Sequence, residues 1–420
     1  MCGIGRTLTT RLTLLLGVSL AQAVAQEPSQ AQPALFLRAN DSFAFDLLET
    51  AHKEFPDRNI VIAPLPISLT FAALCDGTPD IDSAKELQAA FHWDQVLGLP
   101  AGARMVLTRF EKPKPRPAPH TAFQKRMSSL LQMPPGKPEE LWLSTAFLYR
   151  GAGSLSPDFI DRISYDFGIP FRAVGEHSPQ PEILAKNWDP SLPMPKIAHR
   201  SDFWITSFTH LRTSWAGNTF VGAKREKHKF QLRSGDVVQA DFLRTESEFY
   251  PYARTEEFEA VVLTCKEATI LFVLPSASGS VEQLEAAFAE RPNLVDPLLK
   301  RSEGDVRLPP FHFSFEANLR NSIEAMGARR IFTDPIALYS IAPNKPGAVL
   351  RGVAQKAEIT VDENGMRAES GTVVSGVYGG IMAAQAPFHM TLDRPFLFFI
   401  RDRVTRALLF EGALMNPTLQ

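Results

Sequence analysis

Apolar residues recur along the chain first at helical spacing and then at strand spacing. Asn40-Asp41-Ser42 suits a helix N-cap, and Phe43, Ala44, Leu47, Leu48 and Ala51 follow on one helical face. The folded part is expected to start there, near residue 39. Pro66 fits a first helical turn, and Ile67, Phe71, Leu74 and Cys75 repeat with helical period until Gly77. A third helix is predicted where Ser83 and Glu86 form a capping box ahead of Leu87, Ala90 and Phe91. Asp80 and Asp82, flanking Ile81, read as turn chemistry leading into that helix rather than as a catalytic pair. From Leu141 onward strands dominate: Leu141 to Tyr149, Val261 to Leu263 and Thr269 to Leu274 are rich in aliphatic and aromatic residues. One helix, from about Phe315 to Met326 and closed by Gly327, is predicted among them. The chain ends in two buried strands, Phe396 to Ile400 and Leu408 to Phe410, joined by the charged turn Arg401-Asp402-Arg403. No internal repeat is evident.

Two segments break these patterns. Between Phe110 and Pro138, Pro113, Pro115, Pro117 and Pro119 alternate with Lys112, Lys114 and Arg116, as expected of a stiff, basic, solvated loop. It could link domains, but no doubly wound α/β pattern starts beyond it, so it reads as an excursion within one domain. The second break, from Gly365 to Pro395, has few large apolar residues, several glycines and alanines, and no proline before Pro387. Uncommitted stretches longer than about 12–15 residues in a compact protein are usually functional or disordered. Met366, Ala368, Ser370, Thr372, Val374 and Gly376 share one strand face, whereas Arg367 and Glu369 lie on the other. Such a segment can enter a sheet as a middle strand with its charges toward solvent. A flexible surface loop is the competing reading.

The chain has 420 residues, 45% hydrophobic and 21% charged, enough for a large core. Its formal net charge of -2 supplies no bulk attraction to nucleic acid or to an anionic membrane. Arg6 and Arg11, the apolar run from Leu12 to Leu20 and the small-x-small site Ala23-Val24-Ala25 predict a secretory signal over residues 1–25, followed by a leader over 26–38. A soluble, secreted protein, extracellular or periplasmic, is expected, with no later segment long enough to span a membrane. Of the cysteines left after signal removal, Cys75 and Cys265 sit in apolar surroundings, and their pairing is open. No metal site or cofactor is indicated: neither cysteine has a histidine or cysteine at ligand spacing, and His120, His199 and His389 read as surface or hydrogen-bonded residues. No nucleophile elbow, zinc-protease helix or phosphate-binding glycine loop is present, which weakens an enzyme reading.

Met390-Thr-Leu-Asp393-Arg394-Pro395-Phe396-Leu-Phe-Phe-Ile400, followed by Leu409-Phe410-Glu-Gly412 and Asn416-Pro417, resembles the C-terminal signature of serpins. Asp41-Ser-Phe43-Ala-Phe45, Ile62-Ala-Pro64-Leu-Pro-Ile67, Thr213-Ser-Trp215 with Phe220, Phe272-Val-Leu-Pro275, Leu308-Pro-Pro-Phe311 and Val361-Asp-Glu363-Asn-Gly365 resemble further family landmarks in order. The resemblance implies one α+β domain over residues 39–420, with three β-sheets, about eight or nine helices and a reactive-centre loop at about 364–390. It further implies a monomeric, non-enzymatic, single-use inhibitor of serine, and alternatively cysteine, endopeptidases. In such an inhibitor the loop is cleaved, the protease stays acylated, and the loop inserts into the main sheet. A non-inhibitory serpin acting as a carrier, chaperone-like or structural binding protein is the alternative.

By the same resemblance the loop hinge is Glu363, Asn364, Gly365, Met366, Arg367 and Ala368. The family usually has a small hydroxyl residue where Met366 stands, and overfilling a packed site costs about 1–3 kcal/mol, so insertion is expected to be slow. Trp215, Ala63, Pro66, Ser207 and Gln355 occupy the positions that manage sheet opening, and a partial hydrogen-bond network is expected of them. Counting from Gly365 places the scissile bond at Gly379-Gly380, whereas counting back from Pro395 places it near Ile381 to Ala384. The candidate window is therefore Val377, Tyr378, Gly379, Gly380, Ile381, Met382, Ala383 and Ala384. Tyr378 and Met382 are the better recognition residues and suit a protease preferring large apolar or aromatic groups. Lys112, Lys114, Arg116, Lys125 and Arg126 fall where some serpins bind sulfated polysaccharide, but the prolines favour a solvated loop over a polyanion site.

Overall fold

The computed structural model describes residues 31–78, 80–95, 140–150, 155–166, 171–174, 203–216, 219–220, 225–344, 347–366 and 386–419. Helix α1 (Ala31–Glu54) leads into strand β1 (Ile60–Ile62), helix α2 (Pro64–Gly77) and helix α3 (Ile81–Ala90). Strand β2 (Glu140–Arg150), helix α4 (Pro157–Asp166), strand β3 (Phe171–Val174) and strand β4 (Phe203–Ser214) follow. Strands β5 (Glu226–Gln231), β6 (Val237–Arg244), β7 (Glu248–Arg254), β8 (Phe258–Thr264) and β9 (Ala268–Pro275) precede helix α5 (Val281–Glu290). Beyond it come β10 (Lys300–Leu308), β11 (Phe311–Asn318), α6 (Arg320–Ala325), α7 (Arg330–Thr333), β12 (Ala354–Val361), β13 (Gly365–Met366), β14 (Phe388–Thr391), β15 (Phe396–Asp402) and β16 (Leu408–Leu414).

Three sheets result. Ten strands run in the order β1-β16-β15-β9-β8-β7-β10-β6-β5, with β14 added alongside β10. β13-β4-β2-β3 form the second sheet and β11-β12 the third. The core centres on β15 and β16, whose residues are almost all buried, as expected of the near-continuous apolar runs that mark strands covered on both faces. α1 and α5 cover that sheet, with Phe399 of β15 in contact with Phe45 at 5.2 Å and Phe288 at 4.8 Å.

Three sequence expectations need correction. Asn40-Asp41-Ser42 does not cap α1; the helix already runs from Ala31, and Asn40 is buried inside it. Ser83 and Glu86 form no capping box, because Asp80 is the N-cap and its carboxylate accepts from the Ser83 N–H at 2.9 Å. Glu86 instead accepts from the backbone N–H groups of Arg329 and Arg330 at the start of α7. The helix expected from Phe315 begins only at Arg320, since Phe311, Phe313, Phe315 and Ala317 are buried alternately and belong to β11. The expected strands all form, each within a longer element. Cys75 and Cys265 are not joined by a disulfide, and burial pushes the Cys265 thiol well up, so it packs as a small apolar group.

Candidate functional site

Two strand edges face each other where β12 ends. Among the described residues β12 pairs only with β11, in continuous register from Phe311↔Val361 to Asn318↔Ala354. Among the described residues β4 pairs with β2 on one side, and on the other it meets only the two residues of β13. β4 and β12 therefore share no backbone ladder there. The polypeptide leaving β12 turns back at once: the Asp362 N–H donates to Gly365 O at 3.1 Å, and the Gly365 N–H donates to Asp362 O at 3.3 Å. Gly365 and Met366 then lie antiparallel to β4, opposite Ser214 and Thr213. The first residues of the long loop thus already occupy the interval between the two strands.

Gly365 is required by its surroundings. Its φ of +122° is one that side chains other than glycine rarely adopt, and a Cβ would lie 2.5 Å from Thr213 O. The turn is also held by side chains. Trp215, itself buried, donates its Nε1–H to Asp362 O at 2.9 Å, and its ring meets Phe220 edge-on at 5.2 Å. Arg225 Nη2 donates to Glu363 Oε2 at 2.7 Å. Partial burial works against the Glu363 charge, but a backbone N–H and the Arg225 guanidinium outweigh it and hold the carboxyl below its usual range. Beneath the turn, Thr213 is fully buried and its hydroxyl accepts from the Glu267 N–H at 3.0 Å.

At the other end of β12, Gln355 reaches the start of α2. Its Nε2–H donates to Ala63 O at 2.9 Å, and its Oε1 accepts from the Ala63 N–H at 3.2 Å. Pro66 sits buried in the first turn of that helix, while Ser207 pairs through its backbone with Thr145 of β2. Among the described side chains at these positions, Gln355 makes a two-bond clasp on the backbone of one residue, Ala63. Arg367, Ala368 and the window Val377 to Ala384 lie outside the described residues, as do Lys112, Lys114, Arg116, Lys125 and Arg126.

The family described as serpin (serine protease inhibitor) matches residues 38–183 and 189–417. The chain is a serpin. It is 24% identical over 397 residues to a serine protease inhibitor of Rattus norvegicus, covering 90% of this serpin and 88% of that protein. Its fold superposes on the complex of thyroxine-binding globulin with thyroxine with a TM-score of 0.71 at 19% identity, covering 91% of this serpin and 99% of that chain. The thermophilic serpin tengpin in its native state gives a TM-score of 0.70 at 17% identity, with coverage of 91% and 94%. The similar proteins therefore include one named as a protease inhibitor and one named for binding thyroxine.

Two residues that hold the turn at Gly365 were not marked for that role by the sequence. Arg225 lies 138 positions from Glu363, just ahead of β5, and no local pattern marks it. Thr213 stands out only as part of the Thr213-Ser-Trp215 landmark, and its role depends on Glu267 from another strand connection. Among the described residues no group of three or more histidine, cysteine or acidic side chains could hold a metal, and no helix is long and apolar enough to cross a membrane.

Proposed function

We propose that this serpin is a secreted inhibitor of serine, and alternatively cysteine, endopeptidases that works by cleavage and insertion of its loop. The observation that carries the reading is the two-residue strand β13, seeded between β4 and β12 with antiparallel register to β4. A loop that continued in that register would complete the ladder between the two edges. In this mechanism the protease nucleophile attacks a carbonyl within Val377 to Ala384. The peptide C–N bond breaks, the amine side departs as a new N-terminus, and the acyl side remains esterified to the protease. Insertion of the freed strand then carries the protease away before water can release it. Tyr378 and Met382 would recruit a protease preferring large apolar or aromatic groups. The serpin performs no catalysis and is consumed.

A carrier or binding role is the second reading, favoured by the likeness to thyroxine-binding globulin and by Met366 and Arg367 at the entrance of the inserted strand. Mixing the mature protein with chymotrypsin-, elastase-, trypsin- and subtilisin-like proteases separates the two. Inhibition predicts a detergent-stable adduct and a new N-terminus within 377–384. Cleavage in that window without an adduct at any ratio would make it a substrate-like, non-inhibitory serpin instead.

A further inference from the structure

We propose that Asn364 is a site of spontaneous covalent conversion, and that its conversion loosens the hinge. Asn364 is exposed and is followed by Gly365, so no side chain shields the next backbone nitrogen from the carboxamide. Among the described residues, nothing hydrogen-bonds that carboxamide, while the Asn364 backbone N–H is turned inward onto Asp362 Oδ1 at 2.8 Å. The Gly365 nitrogen, whose own hydrogen bond to Asp362 O is long at 3.3 Å, is the attacking atom. In the reaction the Gly365 nitrogen loses its proton and bonds to Asn364 Cγ. The bond from Cγ to the amide nitrogen breaks, and ammonia leaves carrying that proton. Water then opens the five-membered imide at either carbonyl, leaving aspartate or, with the backbone rerouted through the side chain, isoaspartate.

The place of this residue gives the conversion its effect. The rerouted backbone gains one methylene, about 1.5 Å of chain by standard bond lengths, inside a turn closed by the mutual bonds of Asp362 and Gly365. Gly365 cannot yield, because Thr213 O and Ser214 Cα already lie where even a Cβ would be. The new carboxylate also joins Asp362 and Glu363, and Arg225 is already engaged by Glu363. Release of β13 from β4 relieves both strains. The turn alone sets up this chemistry, whether or not the serpin inhibits a protease.

The test is to age the full chain at mildly alkaline pH, digest it with trypsin and map amide conversion by mass. The peptide from Ala357 to Arg367 carries Asn364 as its single side-chain amide, so its mass change is unambiguous. Conversion is expected to run several-fold faster at Asn364 than at Asn318, Asn321 and Asn416. Hydrogen exchange of residues 213–215 and 365–366 should rise in the aged protein but not in aged Asn364→Gln, whose longer side chain closes the ring poorly. Conversion at Asn364 no faster than at the other three asparagines overturns the site. Conversion with unchanged exchange overturns its coupling to the hinge.

Discussion

At the scale of single residues, Glu411 is the least comfortable group in the described structure. It lies in the middle of β16, opposite Ile62 on one side and Phe399 on the other, and it is fully buried. Neither carboxylate oxygen has a hydrogen-bond partner among the described residues. Burial, reinforced by the nearby charges of Asp41 and Glu285, pushes its carboxyl well above the usual range despite Arg401. The folded state therefore holds this proton more tightly than the unfolded chain, where a glutamate titrates near pH ~4.3. Stability from this group is complete below that pH and is lost as pH rises toward the folded value. Glu411→Gln, which cannot ionise, should match the parent in acid and become the more stable of the two as pH rises. Glu411→Met, which also removes the orphaned polar atoms, should add about 1–3 kcal/mol at neutral pH. Urea denaturation of the three proteins across pH checks both; a Glu411→Met variant less stable than the parent at neutral pH would mean that the carboxyl has a partner after all.

At the scale of elements, the loop is held at both of its attachments. Where it returns, β14 pairs in parallel with β10, and across Gly304, where any Cβ would collide with the Phe388 ring, Phe388 stacks flat on Tyr252 of β7 at 3.9 Å. Asp305 adds a shared acceptor for Arg244 and His389, consistent with the hydrogen-bonded role expected of that histidine. Where the loop departs, the turn after β12 is held by Trp215 and Arg225, and at the far end of β12 Gln355 ties the strand to the residue ahead of α2. Gln355→Ala removes both bonds and leaves the N–H of Ala63, a residue 5% exposed, without its side-chain partner. A loss of about 1–3 kcal/mol in urea unfolding is expected for such buried groups; an unchanged midpoint would assign the clasp no weight.

Much of this level was legible in advance. Apolar runs such as Phe396 to Ile400 could only be buried strands, and the landmark from Val361 to Gly365 falls at the turn between β12 and β13. The start of α6 was not legible, because Phe311-His-Phe-Ser-Phe-Glu-Ala alternates while its last residues also fit a helical face. Nor was the Arg225–Glu363 pair, since a contact between residues far apart in the chain leaves no periodic trace.

At the scale of the whole molecule, β4 and β12 each keep an edge that the described strands do not complete. The free edges of β4 and β12 present backbone donors and acceptors that the described strands leave unpaired, and β13 satisfies only the first two positions. A strand of some ten residues entering there would pair along both edges, and a net gain of about 0.5–1.5 kcal/mol per hydrogen bond accumulates quickly over such a length. While both ends of the loop are covalently anchored, at β13 and β14, full entry would require β14 to leave β10. Cleavage within Val377 to Ala384 removes that restraint. The cleaved protein should therefore melt higher than the intact one, by on the order of ten degrees or more if roughly 1 kcal/mol is gained per inserted residue. Differential scanning at fixed scan rate, before and after limited proteolysis in the window, reads this directly. A cleaved protein that melts at the same temperature would show that the segment does not enter the sheet, and the seeded strand would then be only the closing turn of a surface loop.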